Sequence, residues 1–90
     1  MISMKYTNSS IRHDALIAML TDAREAAGMT QAELASRLGV YQSLIARLES
    51  GQRRVDVIEF LEIARVLGFD PGEMLADVRR FGSKSGAEVS

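Results

Sequence analysis

Residues 30–51 read TQAELASRLGVYQSLIARLESG, and the fold is decided there. Thr30 and Glu33 stand at the spacing of a capping box, in which the Thr30 hydroxyl accepts the Glu33 amide proton and the Glu33 carboxylate accepts from the Thr30 amide. A short helix therefore starts at Gln31, with Leu34, Ala35 and Leu38 on its inner face. Gly39 ends it and permits a tight turn, because a left-handed backbone costs glycine little and a residue with a Cβ about 1 kcal/mol or more. Another helix begins near Gln42. Ile45 and Leu48 share its buried side, Ser43 and Arg47 lie on another side, and Gly51 marks its end. Ala35 falls where two short, steeply crossing helices come closest, and a larger side chain there pushes them apart. Val40, Ile45 and Leu48 are expected to pin the later helix onto the earlier one.

Outward from this segment the helical pattern continues on both sides. Between Ile11 and Ala27, the apolar positions Leu16, Ile17, Leu20, Ala23 and Ala27 recur at steps of three and four. Asn8, Ser9 or Ser10 can cap this first helix, and Gly28 closes it. Downstream, Asp56 and Glu59 form an acidic cap ahead of Phe60, Leu61, Ile63, Ala64 and Leu67, and Gly68 ends that fourth helix. Asp70-Pro71-Gly72-Glu73 opens a fifth, with proline at the first helical position, where its missing amide proton costs nothing. Met74, Leu75 and Val78 carry the stripe to about Arg80. The tail GSKSGAEVS has no apolar period and is expected to be disordered. The expectation is all-α: an N-terminal extension over residues 1–10, one five-helix domain over 11–81 with its helix-turn-helix at 31–50, and a tail over 82–90.

Composition sets the outer limits. Ninety residues, 47% of them hydrophobic, supply one core but not a catalytic domain beside a regulatory one. The chain has no cysteine and a single histidine, His13, so disulfides, thiolate metal sites and histidine metal clusters are excluded. No apolar run approaches the roughly 20 residues of a membrane helix, and MISMKYTNSS lacks the apolar region of a signal peptide, so a cytoplasmic chain with no membrane partner is expected. A nucleophile with a base, paired carboxylates on a cleft and a phosphate-cradling glycine loop are all missing, which points away from an enzyme and from any cofactor. Met19, Met29 and Met74 read as core filler, and His13 as an exposed residue of the first helix.

The net charge of -1 argues against a uniformly basic surface, but the charges are segregated. Arg37, Arg47, Arg53 and Arg54 face only Glu49 within residues 37–54, whereas Asp56, Glu59, Glu62, Asp70, Glu73 and Asp77 face only Arg65 within 56–77. Such polarity orients a molecule on a polyanion, because steering depends on the local field more than on the total. Glu49 reads as structural, holding the following loop through an amide or an arginine.

With its glycine, alanine, capping box and flanking helices, the segment resembles the phage-repressor and Cro-type helix-turn-helix family, also called the xenobiotic-response-element (XRE) type. The resemblance extends from about Asp14 to Leu75, taking in Leu20 and Arg24 upstream and DVIEFLEIARVLGFDPGEML downstream. It implies a five-helix, lambda-repressor-like DNA-binding domain whose third helix enters the major groove while the second crosses the sugar-phosphate backbone. On that basis Gln42, Ser43 and Arg47 are the base-contact candidates: glutamine suits adenine N6 and N7, arginine suits guanine O6 and N7, and serine is a tolerant donor or acceptor. Gln31, Tyr41, Arg53 and Arg54 are the phosphate-contact candidates. Leu44 either touches a thymine methyl or turns toward Leu48. The family usually places Ser or Thr where Tyr41 stands, so the start of the third helix is held differently here or Tyr41 reaches the backbone with its phenol. Ala46 likewise replaces a small polar residue.

The implied function is sequence-specific binding to double-stranded DNA by a transcriptional regulator, read as a repressor acting as a homodimer on a pseudo-palindromic operator. Leu75, Val78 and Phe81 are candidates for the paired surface, with closure of the monomer core as their alternative. Two other readings share the fold: an antitoxin that binds a toxin and its own operator, and an adaptor that binds a protein partner such as another regulator without touching DNA. Arg47 also has a plain alternative as a solvated helix arginine beside Ser43 or Glu49, and Arg53 and Arg54 as ordinary loop charges.

Overall fold

The computed structural model describes residues 8–81, which form five helices: α1 (Asn8–Ala26), α2 (Gln31–Leu38), α3 (Gln42–Glu49), α4 (Val57–Leu67) and α5 (Pro71–Arg80). The expected tail over 82–90 and the first seven residues of the expected extension lie outside the described residues. α1 starts three residues earlier than Ile11 and ends at Ala26, which leaves Ala27 exposed in the turn and not on the buried stripe.

Local chemistry sets most of the helix ends. Thr30 and Glu33 close a complete capping box on α2, and Asp56 and Glu59 close a second on α4. Asp70 Oδ1 accepts the amide protons of Gly72 and Glu73, and Pro71 follows it at the start of α5. Gly39 ends α2 with φ 74° and ψ 31°, and its amide donates to Ala35 and Ser36 carbonyls. A Cβ added at Gly39 would meet nothing within 4 Å, so the demand for glycine is conformational and not steric. Tyr41 occupies the N-cap of α3 and makes no side-chain cap, as its long ring requires. At the start of α3 the Leu44 amide donates to the Tyr41 carbonyl at 3.0 Å, and α3 as a whole is held by packing on α2.

That packing centres on Leu20, Leu34, Ala35, Ile45, Leu48, Phe60 and Ile63, all buried. α2 packs on α3 and α4, while α1 packs on α5 and α3. Ile45, only 1% exposed, stands at the middle of the cluster. The ring of Phe60, in the first turn of α4, meets that of Phe69, in the loop between α4 and α5, at 5.8 Å and a tilt of 51°. Arg12 donates to the carbonyls of Arg79 and Phe81 and ties the beginning of α1 to the last turn of α5. Met19, Met29 and Met74 are half-buried.

Four expectations are corrected. Leu61 and Leu75 lie on apolar stripes but are exposed, because each helix is covered on one side only in so small a bundle. Val40 is also partly exposed, so Ile45 and Leu48 pin α3 while Val40 edges an apolar cleft of about 200 Å³ that Leu38, Leu44 and Ile58 help to line. His13 is half-buried, not exposed, and its Nε2 is buried without a hydrogen-bond partner among the described residues.

Candidate nucleic-acid interface

The second and third helices carry the interface candidates, and their geometry follows from the scaffold just described. Burial of Ile45 and Leu48 rotates the opposite side of α3 outward, where Gln42, Ser43 and Arg47 are all exposed. Tyr41, 85% exposed, stands at the head of the same helix. Leu44 resolves toward the interior: it is half-buried and lines the cleft with Leu48. Among the described residues Arg37, Arg47 and Arg54 make no ion pair, so their charges face solvent.

Gln31 and Gln42 are joined, and the junction continues into the protein. Gln42 Nε2 donates to Gln31 Oε1 at 2.9 Å. Gln31 Nε2 donates in turn to Glu49 Oε1 at 2.9 Å. Glu49 is gripped from behind by Arg24, whose Nε reaches Oε2 at 2.6 Å and whose Nη2 reaches Oε1 at 2.9 Å. The remaining arm of Arg24 donates to the Met29 carbonyl at 2.7 Å. Arg24 is 9% exposed, the one buried charged residue among those described. The Glu49 hydrogen bonds raise the Arg24 pKa against the lowering effect of burial, so the guanidinium keeps its charge.

Arg24 is the residue whose role the sequence did not disclose. It falls seven residues after Ile17 and four after Leu20, where the buried stripe of α1 calls for an apolar side chain, and that misplaced charge was the available signal. Glu49 does hold structure through an arginine, but the partner is Arg24 of α1 and not a residue of the adjoining loop.

Arg53 is placed differently from Arg54. Its guanidinium makes a fork with Glu59, Nη2 to Oε2 at 2.6 Å and Nη1 to Oε1 at 3.1 Å. This hydrogen bonding lowers the Glu59 pKa and raises that of Arg53. Since Glu59 also accepts from the Asp56 amide, the fork fastens the loop after α3 to the first turn of α4. Arg54 is exposed beside it. Of the three candidates for a paired surface, Val78 is buried inside the monomer, whereas Leu75 and Phe81 remain exposed.

A tight pair of short helices, an outward face of amide, hydroxyl and guanidinium groups, and solvent-facing arginines beside it define a helix-turn-helix DNA-binding module. The family model described as helix-turn-helix matches residues 20–74, more than half of the chain. The protein belongs to the XRE-type helix-turn-helix family of DNA-binding transcriptional regulators. Among solved structures it is similar to an XRE-family like protein from Pseudomonas syringae pv. tomato str. DC3000, with 47% identity, a TM-score of 0.72, and coverage of 76% of this chain and 83% of that one. It is also similar to the clp gene regulator ClgR from C. glutamicum, with 26% identity, a TM-score of 0.68, and coverage of 76% and 88% respectively. No curated protein matches in sequence. No helix among the described residues is long and apolar enough to cross a membrane.

Proposed function

We propose that this protein is a repressor that binds a pseudo-palindromic operator as a homodimer, with α3 in the major groove of each half-site. Gln42, Ser43 and Arg47 read base edges, and Gln31, Tyr41 and Arg54 hold phosphates. Arg53 serves the same contact indirectly by fixing the loop that carries Arg54. The observation that carries the reading is the exposed Arg47, without an ion pair among the described residues, beside exposed Gln42 and Ser43 on a helix whose other side is anchored by Ile45 and Leu48. Occupying a promoter-proximal operator blocks access sterically and asks for no further surface, which favours repression over activation.

Selection of bound duplexes from random DNA, followed by titration of two variants, tests this assignment. Arg47→Ala is expected to lose about 1–3 kcal/mol at one base pair and to relax preference there. Arg54→Ala is expected to weaken every duplex about equally and to make the salt dependence shallower by about one unit. Equal, small losses from both variants would contradict the assigned roles. Absence of duplex binding even at low salt would favour the adaptor.

Dimerisation doubles the base contacts and sets the two α3 helices about 34 Å apart, one turn of duplex. The exposed apolar side chains Leu75, 49% exposed, and Phe81 are the proposed meeting surface, now without Val78. Ile58 of α4, 68% exposed above the apolar cleft, offers a second surface. Sedimentation equilibrium discriminates between them: Leu75→Asp is expected to yield monomers while Ile58→Asp remains dimeric, and the opposite outcome moves the interface to α4.

A further inference from the structure

α1 and α5 pack on each other and leave an open groove along their shared edge. Its floor is apolar: Met19, Ala23 and Ala26 of α1, Met74 of α5 and Phe69 of the preceding loop border a hollow of about 410 Å³. The alanines leave room for another backbone to come close, and the half-buried methionines add an adaptable thioether surface. The walls are acidic, with Asp22 on the α1 side and Asp70, Glu73 and Asp77 on the α5 side. Asp77 pairs with Arg80 at 2.7 Å and Asp70 caps α5, but Asp22 and Glu73 make no ion pair among the described residues. The cleft beside Ile58 differs in this respect. Its carboxylates are already committed, Asp56 to the cap of α4, Glu59 to Arg53 and Glu62 to Arg65.

We propose that this groove docks a basic amphipathic helix of a partner protein, laid along α1 and α5 with its apolar stripe on the floor and its lysines or arginines against the two acidic walls. Met19, Ala23 and Ala26 span about two turns of α1, ~10 Å, which matches apolar anchors at steps of three and four on an incoming helix. Charge selects the flanks of that helix. An acidic helix sets carboxylates against carboxylates, and a wholly apolar one desolvates Asp22 and Glu73 without giving either a partner. A basic helix covers the floor and pairs both. No residue of α2 or α3 lines the groove, so a partner seated there leaves α3 free to hold DNA. That consequence rests on the reading of α3 as the DNA-contacting helix, whereas the docking itself does not.

The test is an NMR titration of the full chain with a synthetic peptide of leucine and lysine, about 14 residues or ~21 Å as a helix, whose leucines recur at steps of three and four. The backbone amides of Met19, Ala23, Ala26 and Met74 are expected to shift together and to saturate. An isomer in which leucine and lysine strictly alternate, and a version with glutamate in place of lysine, are expected to bind about tenfold more weakly or worse. Asp22→Lys combined with Glu73→Lys is expected to weaken the first peptide by about tenfold or more, while Glu62→Lys on α4, outside the groove, stays within about twofold of the parent. Ala26→Trp keeps every charge but fills the floor, and is expected to weaken it by about fivefold or more. Equal binding of the three peptides, or shifts centred on Asp56, Glu59 and Glu62, would mean diffuse attraction to acidic surface and would overturn the proposal. Shifts of Ala23 and Ala26 with protein concentration alone would place a second copy in the groove and overturn it too. A chain that takes the peptide in the groove but binds no duplex overturns the operator-binding reading and leaves the docking site intact, whereas duplex binding with unshifted groove amides in the peptide titration overturns the docking site alone.

Discussion

Ile45→Ala is expected to destabilise the domain by about 2–5 kcal/mol, the range for truncating a large aliphatic side chain at a closed site. Ile45 is 1% exposed and lies in the cluster with Leu20, Leu34, Ala35, Leu48, Phe60 and Ile63, so residues from three other helices border the space it vacates. Small domains carry only about 5–15 kcal/mol of stability in total, and this one substitution removes a large part of it. Urea titration followed by circular dichroism measures the loss as a lower midpoint with an unchanged slope. Ile45→Val, which removes one methyl group, is expected to lose only about 0.5–1.5 kcal/mol. Leu75→Ala, at a half-exposed position, is expected to stay within about 0.5 kcal/mol of the parent when measured as the monomer. An Ile45→Ala midpoint equal to that of Leu75→Ala would show that α3 is not the central wedge of the core. Duplex binding should fall with the folded fraction, since the outward angle of Gln42, Ser43 and Arg47 is set by the burial of this residue.

The helix order and most helix ends were legible because they depend on residues a few positions apart. Thr30 with Glu33, Asp56 with Glu59, and the glycines at 39 and 68 each act within a single turn, and each does what its spacing implies. The core of α2 and α3 was legible for the same reason, since Leu34, Ala35, Ile45 and Leu48 follow the helical period. What the period does not carry is how wide a face the neighbours cover. Leu61 and Leu75 are in phase with their stripes, but in a bundle of five short helices the covering neighbours run out before they are reached.

The exposed side of α3 was legible as a candidate face but not as part of a network. Exposure of Gln42, Ser43 and Arg47 follows directly from burial of the opposite side. Pairing over distance does not: Arg24 and Glu49 are 25 positions apart, and only the packing of α1 on α3 brings them together. Arg53 and Arg54 look equivalent as adjacent arginines, and the difference between them comes from Glu59, which the capping box of α4 places within reach of one guanidinium. Charge counting along the chain identifies the basic region but cannot divide it into arginines that hold the loop and arginines that face outward.

Glu49→Ala is expected to cost about 3–5 kcal/mol, because removing one partner of a buried pair leaves the other charge desolvated and uncompensated. Arg24 cannot escape by losing its proton, since a guanidinium stays charged at any accessible pH, and its third arm is already committed to the Met29 carbonyl. The substitution must therefore either expose Arg24, which pulls the end of α1 away from α3, or bury an unpaired cation. Replacing both partners, as Arg24→Met with Glu49→Leu, removes the charges together and is expected to recover most of the loss, since apolar pairs of similar volume replace buried ion pairs at little cost. Thermal or urea unfolding of the two single variants and the double variant gives the coupling directly. Strict additivity of the two single losses would show that the charges do not depend on each other, contrary to the 2.6 Å contact between them. The double variant also separates stability from recognition: it restores the packing of α1 on α3 but leaves Gln31 without the carboxylate that orients it. A double variant as stable as the parent that nevertheless binds duplex more weakly is the expected result, and binding at the parent's affinity would show that the ion pair serves stability alone.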